Sequence, residues 1–184
     1  MMGRYIAFVR GINVGGVTLK MEDLKQILGY IGFSNVETYI QSGNAVFQCA
    51  EKNVVKLYKQ LPAEIGAAHG FEPQVLLLTR EELLKAMADN PFPDAESEEN
   101  PKNLHLGFLA STPTKPNLER IDALRSGNER YHLGDTVFYL HAPDGVGRSK
   151  LAVSVERLLG VPMTDRNWNT VCKLREMVDD LEDC

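Results

Sequence analysis

The chain has 184 residues, of which 43% are hydrophobic and 24% charged, a balance ordinary for a globular protein of one generous domain or two small units, so disorder is not the default reading. Its formal net charge is −5. That excludes a broadly cationic nucleic-acid coat, which would have to neutralise phosphates with Lys and Arg, but leaves room for a local basic pocket.

Tyr5-Ile6-Ala7-Phe8-Val9 is apolar on both faces, the pattern of a central, fully covered strand. It runs into Arg10-Gly11-Ile12-Asn13-Val14-Gly15-Gly16, a loop whose glycines permit positive φ. Met21, Leu24, Leu28 and Ile31 then recur at helical spacing, with Thr18 as the expected N-cap and Gly32 as the stop. Val36 to Ile40 reads as a strand, Gln41-Ser42-Gly43-Asn44 as a hairpin turn, and Ala45 to Cys49 as the returning strand. Val54, Tyr58, Leu61 and Ile65 mark a second helix, which Pro62 should kink or split. Gln74 to Leu78 closes the half. The order β-α-β-β-α-β is that of a ferredoxin-like plait.

Thr79-Arg80-Glu81-Glu82 is a capping-box sequence, predicting a short helix with Leu83, Leu84 and Met87 on its buried side. Asn90-Pro91-Phe92-Pro93 stops it, and Asp94 to Lys102 reads as an exposed linker. The second half repeats the element order. It offers a strand around Leu104, Leu106 and Phe108, and a helix on Leu118, Ile121 and Leu124. A hairpin about Gly134-Asp135 follows, then a helix on Leu151, Val155, Leu158 and Leu159 that ends at Gly160. A strand near Met163 and a helix from Thr170 to Leu181 complete the chain. The hairpin letters even overlay, Gly43-Asn44-Ala45-Val46-Phe47 on Gly134-Asp135-Thr136-Val137-Phe138. The expected architecture is therefore an α+β, duplicated ferredoxin-like fold. Residues 1–79 form one half, 80–102 a connecting helix and polar linker, and 103–184 the second half with a C-terminal helix.

Charge is uneven along the chain. The acidic side chains Glu51, Glu64, Glu72, Glu81, Glu82, Asp89, Asp94, Glu96, Glu98 and Glu99 crowd residues 51–100, the pattern of a solvated face. Basic groups instead mark the glycine-bearing turns. Asp144-Gly145-Val146-Gly147-Arg148-Ser149-Lys150 leads straight into a helix, where backbone N–H groups, the helix end, Arg148 and Lys150 could together cradle an anion. The plainer alternative is a turn with Ser149 capping the helix. The segment is neither a P-loop nor a dinucleotide fingerprint, so no cofactor is expected.

Asp165-Arg166-Asn167-Trp168-Asn169-Thr170 precedes the last helix. Core packing is the expected role of Trp168, with Asn169 or Thr170 as N-cap; stacking on a base or sugar, with the amides reading its edge, is the alternative. Gln41, Ser42 and Asn44 fit either hairpin geometry or ligand contact. The candidate ligand-binding set is thus Arg10, Gly11, Asn13, Gln41, Ser42, Asn44, Arg148, Ser149, Lys150, Arg166, Asn167 and Asn169.

Other chemistry finds little support. His69, His105, His132 and His141 show no metal-ligand spacing, and no metal is expected. Cys49, Cys172 and Cys184 are widely separated and lack C-x-x-C spacing, which gives neither a disulfide framework nor a zinc site. Met1 to Arg10 lacks a signal-peptide pattern and no apolar run approaches ~18 residues, so the expected location is the reducing cytoplasm.

The segments Arg10 to Gly16, Tyr39-Ile40-Gln41-Ser42-Gly43-Asn44, Gly147-Arg148-Ser149-Lys150 and Arg166-Asn167-Trp168-Asn169-Thr170 together resemble the bacterial family named domain of unknown function 1697, in the same order over nearly the whole chain. The resemblance implies a cytoplasmic protein of two ferredoxin-like halves. It brings no reaction and no catalytic residues. The leading functional expectation is a binding protein for a small anionic ligand, nucleotide-like or phosphorylated, with Arg10, Arg148, Lys150 and Arg166 around one hollow. Nucleic acid is less favoured, because the aromatic RNA-binding pattern is missing. Two alternatives stand beside it. One is an enzyme on a phosphorylated or carboxylated metabolite, with Asp144, Asp165 or His141 moving protons. The other is a structural or protein-interaction module without a small ligand.

Overall fold

The computed structural model describes residues 2–50, 54–97 and 99–181, the side chains of residues 54–56 excepted. Glu51, Glu98, Cys184 and the Val54 side chain, invoked above, lie outside the described residues. The chain divides into two compact units, Met1–Lys85 with Lys173–Cys184, and Ala86–Cys172.

The first unit contains β1 (Met2–Val9), α1 (Met21–Tyr30), β2 (Ser34–Tyr39), β3 (Asn44–Ala50), α2 (Val54–His69) and β4 (Val75–Thr79). Its antiparallel sheet has the order β2-β3-β1-β4, so β1 is an interior strand. That position explains its unbroken apolar run. Tyr5, Ala7 and Val9 join the core formed with Leu24 and Leu28 of α1 and Leu57, Leu61 and Ile65 of α2, while Ile6 and Phe8, pointing to the opposite face, are also fully buried. Registers Phe8↔Asn44 and Val9↔Val75 bring the end of β1, the β2–β3 turn and the start of β4 to one end of the sheet.

Two local expectations change. Thr18 does not cap α1, which starts at Met21 behind Lys20 without a side-chain cap. The reason is Leu19: its side chain is fully buried and its N–H and carbonyl are both bound by the Asn13 side chain, which commits it to the loop rather than to the helix. Glu22 and Asp23 supply the favourable negative charge in the first turn instead. Pro62 does not split α2, which is continuous over Val54–His69. Leu61 and Ile65, on either side of the proline, are both fully buried, and that packing outweighs one missing backbone bond.

α3 (Arg80–Ala88) follows β4 directly. Its capping box is realised in full: the Thr79 N–H donates to Glu82 Oε2 (2.8 Å) and the Glu82 N–H to Thr79 Oγ1 (3.1 Å).

The second unit contains α4 (Pro93–Glu96), β5 (Leu104–Leu109), α5 (Leu118–Leu124), β6 (Arg130–Leu133), β7 (Val137–His141), α6 (Lys150–Leu159) and β8 (Met163–Asn167). The sheet order β6-β7-β5-β8 reproduces that of the first unit, so each unit is a ferredoxin-like plait. Leu109, Phe138 and Leu140 of the sheet pack with Ile121 of α5 and Leu151, Val155 and Leu159 of α6. Asp94 to Lys102 is more structured than a bare linker. It holds α4 and a 3-10 turn at Pro101–Asn103, buries Ala95 and ties Asp94 to Arg130. α7 (Trp168–Asp179) begins in the second unit, and its residues from Lys173 onward belong to the first. No described helix is long and apolar enough to cross a membrane.

Candidate functional site

The first unit gathers its candidates where β1 ends. The Arg10 N–H donates to the Gln74 carbonyl (2.8 Å) and its guanidinium to Gln74 Oε1 (2.9 Å). Asn13, at φ 56°, is fixed three ways: its Nδ2 donates to the carbonyls of Leu19 (3.0 Å) and Gln41 (2.8 Å), and its Oδ1 accepts from the Leu19 N–H (3.0 Å). The loop is thereby clasped to the β2–β3 turn. Gly43, at φ 74°, is the close-packed point of that turn, since a Cβ there would lie 2.4 Å from the Val9 carbonyl oxygen. Asn44 is the first residue of β3 rather than a turn residue; it is fully buried, and its Nδ2 donates to Tyr39 O (3.1 Å) and Ser42 Oγ (2.8 Å). The amides of Asn13 and Asn44 therefore serve the scaffold, while Gly11 and Gln41 are exposed and Arg10 and Ser42 half-buried.

In the second unit the registers Leu104↔His141 and His105↔Asn167 set the start of β5 beside the ends of β7 and β8. The chain leaving β7 is pinned there, the Ala142 N–H donating to Asn103 O (2.9 Å) and Asn103 Nδ2 to Pro143 O (3.0 Å). It then passes through Gly145 at φ 89° and a 3-10 turn at Val146–Arg148 into α6. Ser149 is buried and caps α6, its Oγ accepting from the Ala152 N–H (3.0 Å). Its neighbours Arg148 and Lys150 are exposed, and no carboxylate among the described residues pairs with either.

At the adjoining β8–α7 junction the cap of α7 is Asn167, whose Oδ1 accepts from the Thr170 N–H (3.0 Å), in place of the expected Asn169 or Thr170. Arg166 donates to the Asp165 carbonyl (2.7 Å), Asn169 is exposed, and Trp168 is buried, so its ring is not an open stacking surface. The candidate residues thus lie at different ends of matching sheets: the C-terminal end of β1 in the first unit, the N-terminal end of β5 in the second.

One group at that second end escaped the sequence reading. His105 Nδ1 lies 2.7 Å from Asp165 Oδ2, a diagonal pair across β5 and β8; the histidine side chain is 8% exposed and that of Asp165 40%. Among the described residues nothing pairs with His105 Nε2, and Thr164 Oγ1 is the buried side-chain polar atom left without a partner, so Nε2 meets solvent. His141, the histidine favoured from sequence, is engaged differently. Its Nδ1 accepts from Arg130 Nη2 (3.0 Å), while Arg130 also makes a bidentate pair with Asp94 (3.2 and 2.7 Å) and stacks 4.8 Å over Phe92. The hydrogen bond from Arg130 holds the Asp94 carboxyl below its ordinary range. Asp144 accepts from Asn128 Nδ2 (2.7 Å). Among the described residues no three His, Cys, Asp or Glu side chains are placed to hold a metal ion.

A hollow of about 370 Å³ elsewhere in the first unit is lined by Arg4, Arg80 and Glu81. Its arginines are taken up by the end of α7: Arg4 donates to Asp179 O (2.9 Å) and Arg80 Nε to Asp179 Oδ1 (2.6 Å).

No curated protein matches the chain. Among solved structures it is similar to a conserved bacterial protein, SP0830, from Streptococcus pneumoniae, at 24% identity over 98% of this chain and 100% of the other, with a TM-score of 0.71. At that identity the likeness speaks for the fold alone. The family described as protein of unknown function (DUF1697) matches residues 2–139, a span that takes in Arg10 to Gly16, Asn44 and His105 and ends ahead of Arg148 and Arg166. By that match the chain belongs to the DUF1697 family.

Proposed function

We propose that the protein binds a small anionic ligand, phosphorylated or nucleotide-like, in the cytoplasm, with the ligand's negative group at the start of α6. The observation that carries this reading is the pair Arg148 and Lys150, both exposed and neither matched by a carboxylate among the described residues, on either side of the helix cap Ser149. Two cations beside a helix N-terminus form a field that favours an anion, and each charge-assisted hydrogen bond contributes about 1.5–3 kcal/mol. Arg166 and Asn169 are the contacts proposed from the β8–α7 junction. In the first unit Arg10, Gly11, Gln41 and Ser42 fill the same role at their own sheet end. The burial of Trp168 weighs against single-stranded nucleic acid, which would need an exposed aromatic platform.

The test is thermal unfolding against inorganic phosphate, nucleotides and phosphosugars. Saturation at ~100 times the dissociation constant adds about 2.7 kcal/mol to stability. The double variant Arg148→Ala/Lys150→Ala removes the shift while leaving the ligand-free melting point in place. No shift with any member of the panel overturns the reading.

A further inference from the structure

We propose that His105 Nε2 is the proton acceptor of the second unit's anion site, acting on a hydroxyl group of a bound phosphorylated metabolite or of water beside it. The proposal rests on the anion reading above and adds chemistry to it.

Three observations support it. First, the two most buried histidines of this unit are set in opposite tautomers by their partners. Asp165 can only accept, so in its neutral form His105 carries its proton on Nδ1 and keeps a lone pair on Nε2; Arg130 can only donate, so His141 spends its lone pair at Nδ1 and carries its proton on Nε2. Only His105 is left with a basic nitrogen. Second, that nitrogen is the open end of a side chain that is otherwise more than nine-tenths buried and has no other partner among the described residues. The atom is therefore within reach of a small molecule from solvent. Third, the sheet registers bring His105 to the end where Ala142 to Lys150 crosses from β7 to α6. The helix runs back over the same sheet face, Leu151 and Val155 packing with Leu140, which is the register partner of His105.

The step balances without a further reactant. The substrate O–H bond breaks and an N–H bond forms at Nε2. The bonding pair stays on oxygen, at the sheet end that carries Arg148 and Lys150. Asp165 is a positioning residue, fixing the tautomer and stabilising the imidazolium that results.

The experiment uses the whole chain and two readouts. Long-range ¹H–¹⁵N spectra report the tautomer of each ring, and carbethoxylation by diethyl pyrocarbonate, mapped peptide by peptide, reports the reactivity of each imidazole. The expected result is a proton on Nδ1 in His105 and on Nε2 in His141. Reaction at His105 should be an order of magnitude faster although both rings are equally buried, and inorganic phosphate should slow it. Asp165→Asn should change the His105 tautomer signature and lower its reactivity, with His105→Gln as the control for folding. A proton on Nε2 of His105, or reaction no faster than at His141, overturns the proposal. If phosphate also shifts the Ser149 and Lys150 amides in that case, the anion reading survives it. Fast reaction that phosphate does not slow, although those amides shift, places His105 outside the anion site and equally overturns the proposal. Absence of any amide shift removes the anion reading, and this one with it.

Discussion

Asn13 Nδ2 donates 2.8 Å to the carbonyl of Gln41, joining the loop after β1 to the turn between β2 and β3. The same amide makes two further bonds to Leu19, and the residue sits at φ 56°, where asparagine is tolerated better than most side chains. Asn13→Ala forfeits three hydrogen bonds and adds backbone strain, an expected loss of about 2–4 kcal/mol. Asn13→Gly forfeits the bonds and relieves the strain, so it should lie about 1 kcal/mol above the alanine variant. Urea unfolding of both variants separates the two contributions; equal losses would show that the φ value is not a source of strain.

The same residues mark where sequence reading succeeds and where it stops. The individual strands and helices of the plait, the capping box at Thr79 and Glu82, and the inner stripe of α6 are local patterns, and the element order follows from reading them in series; each is realised. What could not be read is set by long-range register. Asn13 meets Gln41 across 28 residues, and His105 meets Asp165 across 60. No spacing rule encodes such meetings. A weak cue for His105 did exist: it interrupts an otherwise apolar strand, Leu104 to Leu109, every residue of which is buried, and a polar group so placed requires a partner. The tautomers of His105 and His141 follow from those partners and were equally out of reach.

Ser149 and its neighbours offer a clean division between scaffold and surface. Ser149→Ala removes the N-cap of α6 and should cost about 1 kcal/mol. Arg148→Ala and Lys150→Ala touch exposed groups without carboxylate partners among the described residues, so each should change stability by less than about 0.5 kcal/mol. Thermal unfolding of the three single variants checks this. A large loss at Arg148 or Lys150 would mean that these cations brace the fold, which would weaken the case for a ligand.

Asp179, near the end of α7, should make stability depend on acid. Burial pushes its carboxyl up, but hydrogen bonds from Arg80 and Arg175 outweigh this, and the folded value lies below the ordinary 3.8. A depressed carboxylate stabilises the fold above its unfolded pKa, and the contribution is lost as pH falls through the lower folded value. At pH 7 Asp179→Asn should therefore lower stability by about 1–2 kcal/mol, since both ion pairs are partly solvated. As pH falls through that folded value the gap between wild type and variant should close. Urea midpoints collected from pH 2 to pH 7 test the sign, and a gap that persisted in acid would assign the loss to packing.

Thr164 supplies the last test. Its Oγ1 is buried with no hydrogen-bonding partner among the described residues, on a strand where Phe108 is its register partner. Burying an unmatched hydroxyl costs about 1–3 kcal/mol, whereas a methyl group of nearly the same size carries no such penalty. Thr164→Val should therefore raise the urea midpoint, by the equivalent of about 1 kcal/mol, because valine also suits a strand. Thr164→Ala should lower it by removing the remaining methyl and leaving a cavity. Destabilisation by valine would show that the hydroxyl is satisfied by an ordered water, since that is the arrangement in which its loss leaves other polar groups unmatched.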